Sequence, residues 1–392
     1  MTSALSRRQA LKFVLLLGVV SLLADATYEG ARSVTGPFLA VLGASGAVVG
    51  VVAGFGELVG YGLRLVSGII SDRTRRYWTV TLVGYSINLL AVPLLALAGR
   101  WEVAAALIVT ERVGKALRNP PRDAMLSHAT AEIGRGWGFG LHEAMDQTGA
   151  ILGPLIVAGV LAVRSESYHT AFAVLLIPAL MALGVLVAAR FLYPRPEDLE
   201  AGPRHLVTTG FTPLFWWYLA AAGLVAAGYV DFPLIAFHFQ KQSVVSPAWI
   251  PVLYAVAMGA DALAALVFGR MFDRSGLKTL ALVSLLCALF SPLVFLGGFG
   301  AALIGMALWG VGMGAQESIM RAAVADMVPR EKRASGYGIF NAGYGLVWFL
   351  GSALMGLLYD FSVPALVGFS VLTQLASVPL FLRLGKQFNA RA

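Results

Sequence analysis

One cysteine stands in 392 residues, so Cys287 has no partner in its own chain. Neither a disulfide framework nor a cysteine-built metal site can form. Cys287 lies in an apolar stretch and is read as a packing residue. Charge is scarce as well. Asp, Glu, Lys and Arg together make 13% of the chain, against roughly 25% in soluble globular proteins. A chain this poor in charge cannot cover itself with polar surface. It also lacks a GxxxxGK loop to cradle phosphate, so no ATP-driven engine is visible. No nucleophile–base pair and no cofactor loop appears, so we expect neither an enzyme nor a bound cofactor.

Apolar residues are what the chain has in quantity. They make 58% of it, and its mean hydropathy is +0.77. Its solvent must be largely lipid. With roughly 20 apolar residues needed per span, this length and its short loops allow about a dozen helices. We place them near 12–42, 46–70, 77–98, 101–128, 136–163 and 170–192, then 212–239, 247–269, 278–297, 300–327, 335–359 and 364–384. The runs are long rather than alternating, which favours helices over a barrel. A Pro-rich, charged stretch from Tyr193 to His205 marks a cytoplasmic linker, 193–211, between two halves, 1–192 and 212–392. The 44 glycines are scattered through the spans, where they let helices approach and bend.

A net charge of +8 suggests nucleic acid only until the bases are placed. Arg7, Arg8 and Lys12 precede the first span, and Arg73, Arg75 and Arg76 follow the second. Further groups are Arg190, Arg195 and Arg204, then Arg270, Arg274 and Lys278, then Arg330, Lys332 and Arg333, then Arg383, Lys386 and Arg391. The alternate loops hold Arg100, Arg164 and Lys241. This bias puts both termini in the cytoplasm, as expected in a cell inner membrane, with no nucleic acid as partner. The N-terminus has the basic start, apolar run and Ala24-Asp25-Ala26 step of a secretion signal. We expect it to be retained, because the apolar pattern resumes toward Val41.

One figure occurs twice. Gly68-Ile69-Ile70-Ser71-Asp72-Arg73-Thr74-Arg75-Arg76 ends the second span, and Gly269-Arg270-Met271-Phe272-Asp273-Arg274-Ser275-Gly276-Leu277-Lys278 ends the eighth. Asp72 and Asp273 stand 201 residues apart, about half the chain, which argues for two similar bundles in tandem. A lone Asp-Arg step at a helix end is compatible with ordinary topology charge. Both stretches resemble the loop between the second and third helices of the major facilitator superfamily: Gly, three residues, Asp, a base, any residue, Gly, then two bases. The first copy departs from it with Arg75 in place of Gly, the second with Leu277 in place of a base. The resemblance implies an all-α integral membrane fold. Its twelve transmembrane helices form two six-helix bundles related by a pseudo-two-fold. It also implies a gating role for Gly68, Asp72, Arg73, Arg76, Gly269, Asp273 and Arg274, with Asp72 meeting the start of the eleventh helix near Ser335.

Charges inside the spans carry the functional information, since each costs at least ~2.5–3.5 kcal/mol at membrane depth. The first span holds Asp25, Tyr28, Glu29 and Arg32 on one face. Two acids so close do not both ionise easily, the property a proton carrier needs; a self-neutralised cluster holding the bundle is the alternative. In the fourth span Glu111, Lys115, Arg118 and Arg122 form one stripe. Arg112 resembles the arginine that family exporters carry in this helix, although Gly114 follows it too early for that motif. We expect Glu111, Arg112 and Lys115 to be deep, and Arg118 and Arg122 to snorkel at the cytoplasmic mouth. The fifth span has His142, Glu143, Asp146 and Gln147, and a histidine with neighbouring acids can titrate near neutrality. With no second His nearby, we expect no metal there.

Gly149, Gly153 and Pro154 of that span resemble the family's antiporter motif, though Val157-Ala158 replace its closing glycines. Generic small-residue packing explains them too, and Pro154 should kink the helix. The second half offers Asp231, Asp261, an i, i+4 pair of Glu317 and Arg321, and Asn341 on one face with Tyr344 and Trp348. Asn341 corresponds to Glu143, so the acid is present in one half only. The resemblance implies a secondary transporter alternating access about a central site, acting as a monomer on a small-molecule substrate. Proton-coupled export of small organic molecules is the leading expectation. Arg32, Arg112, Lys115 and Arg321 favour the alternative of passage of an anionic solute. A non-transporting membrane sensor is the third.

Overall fold

A computed structural model describes residues 7–133, 135–164, 167–194, 211–328 and 333–389. Residues 195–210, most of the expected linker, and Ser335's side chain lie outside what is described, as do the side chains of Asp72, Asp273, Glu317 and Arg321. Among the described residues all regular structure is helical, in fifteen α-helices. They are α1 (Arg7–Val41), α2 (Gly46–Thr74), α3 (Tyr77–Leu94), α4 (Trp101–Ile133), α5 (Arg135–Val163), α6 (Tyr168–Val174), α7 (Leu176–Leu192), α8 (Pro213–Gly228), α9 (Phe232–Lys241), α10 (Trp249–Ser275), α11 (Lys278–Cys287), α12 (Phe290–Leu296), α13 (Phe299–Met327), α14 (Arg333–Phe361) and α15 (Val363–Asn389).

Each expected span has a helical counterpart, with three of them broken: α6 and α7, α8 and α9, α11 and α12. Among the described residues, eleven helical stretches are long and apolar enough to cross a membrane. Too many charges keep α4 out of that set, yet its 33 residues span about 50 Å, ample for a bilayer core. The protein is a multi-pass membrane protein.

The described residues divide into two compact units. One draws on Met1–Val34 and Val59–Pro203, the other on Thr35–Leu58 and Arg204–Ala392. In the first, Phe13, Leu17 and Val20 of α1 pack with Trp78, Tyr85 and Leu89 of α3, Met125 and Leu126 of α4, and Ala182 and Leu186 of α7. Trp78 donates its indole N–H to the Tyr193 carbonyl at 2.9 Å. This satisfies the one polar atom that an aromatic of this size brings into an apolar core.

Breaks in a membrane helix free backbone carbonyls that lipid cannot satisfy. In the second unit, side chains donate to three such carbonyls. Between α8 and α9, Gln374 donates to the Val225 carbonyl at 3.0 Å, Ser370 to Gly228 at 2.7 Å and the Trp309 indole to Val230 at 2.9 Å. The Tyr229 hydroxyl donates to the Trp309 carbonyl in return. At the start of α2, Asp360 of α14 accepts from the amides of Gly46 (2.9 Å) and Ala47 (2.8 Å), capping a helix far away in sequence.

The repeated loop has a positive φ at the same place in both copies. Arg75 has φ +52° and Gly276 has φ +56°, each three residues after its aspartate. Glycine adopts this region freely, whereas arginine pays steric strain for it.

Candidate functional site

The polar side chains of the first unit converge from α1, α3, α4 and α5. Two small residues let this happen. A Cβ on Gly149 would strike the Leu22 carbonyl, and one on Gly153 the Ala26 carbonyl. Glycine at both places brings α5 against α1 along the turns that carry Asp25. α5 runs through Pro154 as one continuous helix.

Asp25, Tyr28 and Glu29 are buried on α1, and their partners come from α4. Lys115 Nζ lies 3.8 Å from Glu29 Oε1 and 3.8 Å from the centre of the Tyr28 ring. Arg118 Nη2 lies 3.8 Å from Asp25 Oδ1, with its guanidinium 4.3 Å over the Tyr85 ring. On α3, Asn88 donates to Glu111 Oε1 at 2.6 Å and to the Glu111 carbonyl at 3.1 Å. Arg112 Nε stands 3.4 Å from Glu111 Oε2. Arg122 donates to Ser21 Oγ of α1 at 3.1 Å and forks onto Asp123 Oδ1 at 2.9 and 2.8 Å. On α5, His142 Nε2 lies 3.7 Å from Asp146 Oδ2.

Arg118 and Arg122 correct the expectation of snorkelling at the mouth. Arg118 is only 1% exposed and Arg122 9%. Their stripe on α4 faces Ser21, Asp25 and Tyr85 rather than headgroups, and the aromatic face of Tyr85 compensates a guanidinium that water cannot reach. The sequence signal was present: both sit at 3- and 4-residue steps from Lys115. Tyr85 and Asn88 carried no such signal, because neutral polar residues are unremarkable in a span. Glu143 stands apart on the exposed face of α5, where Gln147 donates to it at 3.4 Å. Arg32 remains on the α1 face, partly buried.

In the second unit, Asp231 begins α9 and is 2% exposed. Trp348 Nε1 and Ser352 Oγ of α14 donate to its Oδ2 at 2.9 and 2.7 Å. Tyr229, Trp309 and Trp348 pack around the same break, with ring centres 5.7 and 5.8 Å apart. Tyr344 donates to Gln316 Oε1 at 2.5 Å. Asp261 is buried on α10 and Asn341 half-buried on α14. Among the described residues no group of His, Cys, Asp and Glu is arranged to hold a metal. Chemically, the first unit holds buried acids facing bases at 3.8 Å, and the second a buried, hydrogen-bonded acid in an aromatic setting.

The family model described as Major Facilitator Superfamily matches residues 15–244 and 232–388. An uncharacterised protein of Mycobacterium tuberculosis is 47% identical over 364 residues, 91% of this chain and 89% of that one. Multidrug resistance protein MdtH of Proteus mirabilis is 31% identical over 119 residues, 30% of each chain. The solved structure of a peptide transporter, POT, superposes with a TM-score of 0.76 at 16% identity, covering 98% of this chain and 99% of that one. That of the nucleoside transporter NupG gives 0.68 at 15% identity, covering 96% and 98%. Peptides and nucleosides differ too much for the shared fold to name a cargo.

Proposed function

The chain belongs to the Major Facilitator Superfamily, as a secondary transporter and not an enzyme, and we propose that it exports small organic molecules in exchange for protons. One observation carries the proposal: Asp25 and Glu29, one turn apart on α1, each face a base of α4 at 3.8 Å. At that separation the attraction to the base is charge to charge. Protonating either acid abolishes the attraction and releases a cation one helix away. The pairs therefore link proton binding to the relative position of α1 and α4. The short likeness to a multidrug resistance protein supports export and a broad substrate class. We extend the reading to the repeated loops, where Asp72 and Asp273 latch the cytoplasmic side. It also covers organisation: halves 1–192 and 212–392 joined by a cytoplasmic linker, acting as a monomer in the inner membrane by alternating access.

The test is flux in proteoliposomes under an imposed pH gradient, with ethidium as the probe. Wild type should accumulate it against its gradient. Asp25→Asn and Glu29→Gln mimic the protonated acids, so they should still exchange ethidium but lose accumulation and pH dependence. Uphill, pH-dependent flux surviving in Asp25→Asn, Glu29→Gln, Glu143→Gln and Asp146→Asn alike would overturn proton coupling through these acids.

Passage of an anionic solute is the second reading, favoured by α4, which brings Arg112, Lys115, Arg118 and Arg122 to one region. Flux of organic anions without dependence on the pH gradient would select it.

A further inference from the structure

Two consecutive prolines, Pro120 and Pro121, lie inside α4 in the middle of its charged stripe. Proline has no N–H, so Pro121 cannot donate to the carbonyl four residues back, that of Leu117. In a membrane span such an orphan must find another donor. It finds Ser67, a fully buried residue of α2, whose hydroxyl donates to the Leu117 oxygen at 2.6 Å. A serine in a helix ordinarily bonds back to its own preceding turn; this one bonds across to a neighbouring helix.

The carbonyl it holds is not an arbitrary one. Leu117 C=O and Arg118 N–H share one rigid peptide plane. Fixing the oxygen fixes the plane, and with it the Cα from which the Arg118 guanidinium reaches Asp25 and stacks on Tyr85. From the other side Gly84 of α3 lies against the Arg118 amide and Cα so closely that a Cβ there would overlap them. Thus the backbone at Arg118 is held between α2 and α3 at the point where its own helix is weakest.

We propose that Ser67 is a positioning residue: its hydroxyl replaces the backbone donor missing at Pro121 and holds Arg118 in register with Asp25. Ser67 stands one residue before Gly68, where the repeated loop figure begins. A shift of the α2 end therefore carries the Leu117–Arg118 peptide with it. This inference does not depend on which solute is carried or on whether protons drive transport.

The test is the melting temperature of the full chain in lipid nanodiscs. Ser67→Ala should lower it by roughly 1–2 °C, the size expected for one hydrogen bond in a chain this long. Ser67→Thr keeps the hydroxyl and should restore it. Pro121→Ala returns an N–H to the Leu117 carbonyl, so Ser67→Ala should cost nothing in that background. A loss of equal size with and without Pro121 would overturn the role as substitute donor. For the positioning itself, Ser67→Ala should cost less in an Asp25→Asn background, where Arg118 has lost the group it is aimed at. Strict additivity of Ser67→Ala and Asp25→Asn, or failure of Ser67→Thr to rescue, would overturn the positioning claim.

Discussion

Glu29 and Lys115 meet at 3.8 Å with both side chains mostly out of water. Two charges buried together offset part of each other's desolvation, and Lys115→Ala takes that offset from Glu29. Breaking a buried pair from one side costs about 3–5 kcal/mol. Lys115→Ala should therefore cut the amount of folded protein in the membrane severely, as measured by fluorescence-detected size exclusion. Adding Glu29→Gln should restore a good part of it. If the double variant is no better folded than Lys115→Ala, the pair contributes nothing to stability and serves transport alone. Sequence spacing put Glu29 next to Arg32 on its own helix. It had no means of pairing it with a residue 86 positions away, because helix-to-helix register is not written in local periodicity.

Helices in this protein are decided by where they can touch and where they must turn. Gly149 and Gly153 sit against α1 carbonyls, whereas a Cβ on Gly159 of the same helix meets open space. Gly153→Val should push α5 off α1 and destabilise by about 1–3 kcal/mol, as overpacking of a tight contact does. Gly159→Ala should be neutral. A melting comparison of the two variants checks this, and equal effects would mean that the glycines are not contact points. The repeated loop offers a second comparison at this scale. Gly276→Ala should cost about 1 kcal/mol, because alanine is strained at positive φ. Arg75→Gly should be neutral or stabilising, since relief of strain offsets glycine's entropy. Opposite signs at these two corresponding positions would show that the positive φ, rather than the residue, is what recurs.

For the molecule as a whole, the charge bias predicts an orientation. Reporter fusions after Arg76, Arg204 and Arg391 should report cytoplasm, and fusions after Arg100, Arg164 and Lys241 the outside. Any of the first three found outside would sink the twelve-span arrangement. Asp72→Asn should impair ethidium flux with little loss of folded protein, and Asp273→Asn should do less. Undiminished flux in Asp72→Asn would leave that loop a topology signal only.

Span number, helix limits to within a few residues, the half-length repeat and the charged faces of α1 and α4 were all legible in the linear chain. Lipid makes this possible: it demands roughly 20 apolar residues per crossing and penalises every charge, so exceptions stand out as letters. Helix breaks were less legible. Nothing local marks Tyr229–Asp231 as a gap beyond Pro233, and the gap survives because Gln374, Ser370 and Trp309 reach it from other helices. Partnership was not legible at all. That Arg118 is buried beside Asp25, that Ser67 serves Leu117 and that Asp360 caps α2 each depends on which helices pack together and at what height. Packing is set by the summed fit of many small contacts along each seam. No single residue announces it, so only the tertiary structure decides which charge meets which.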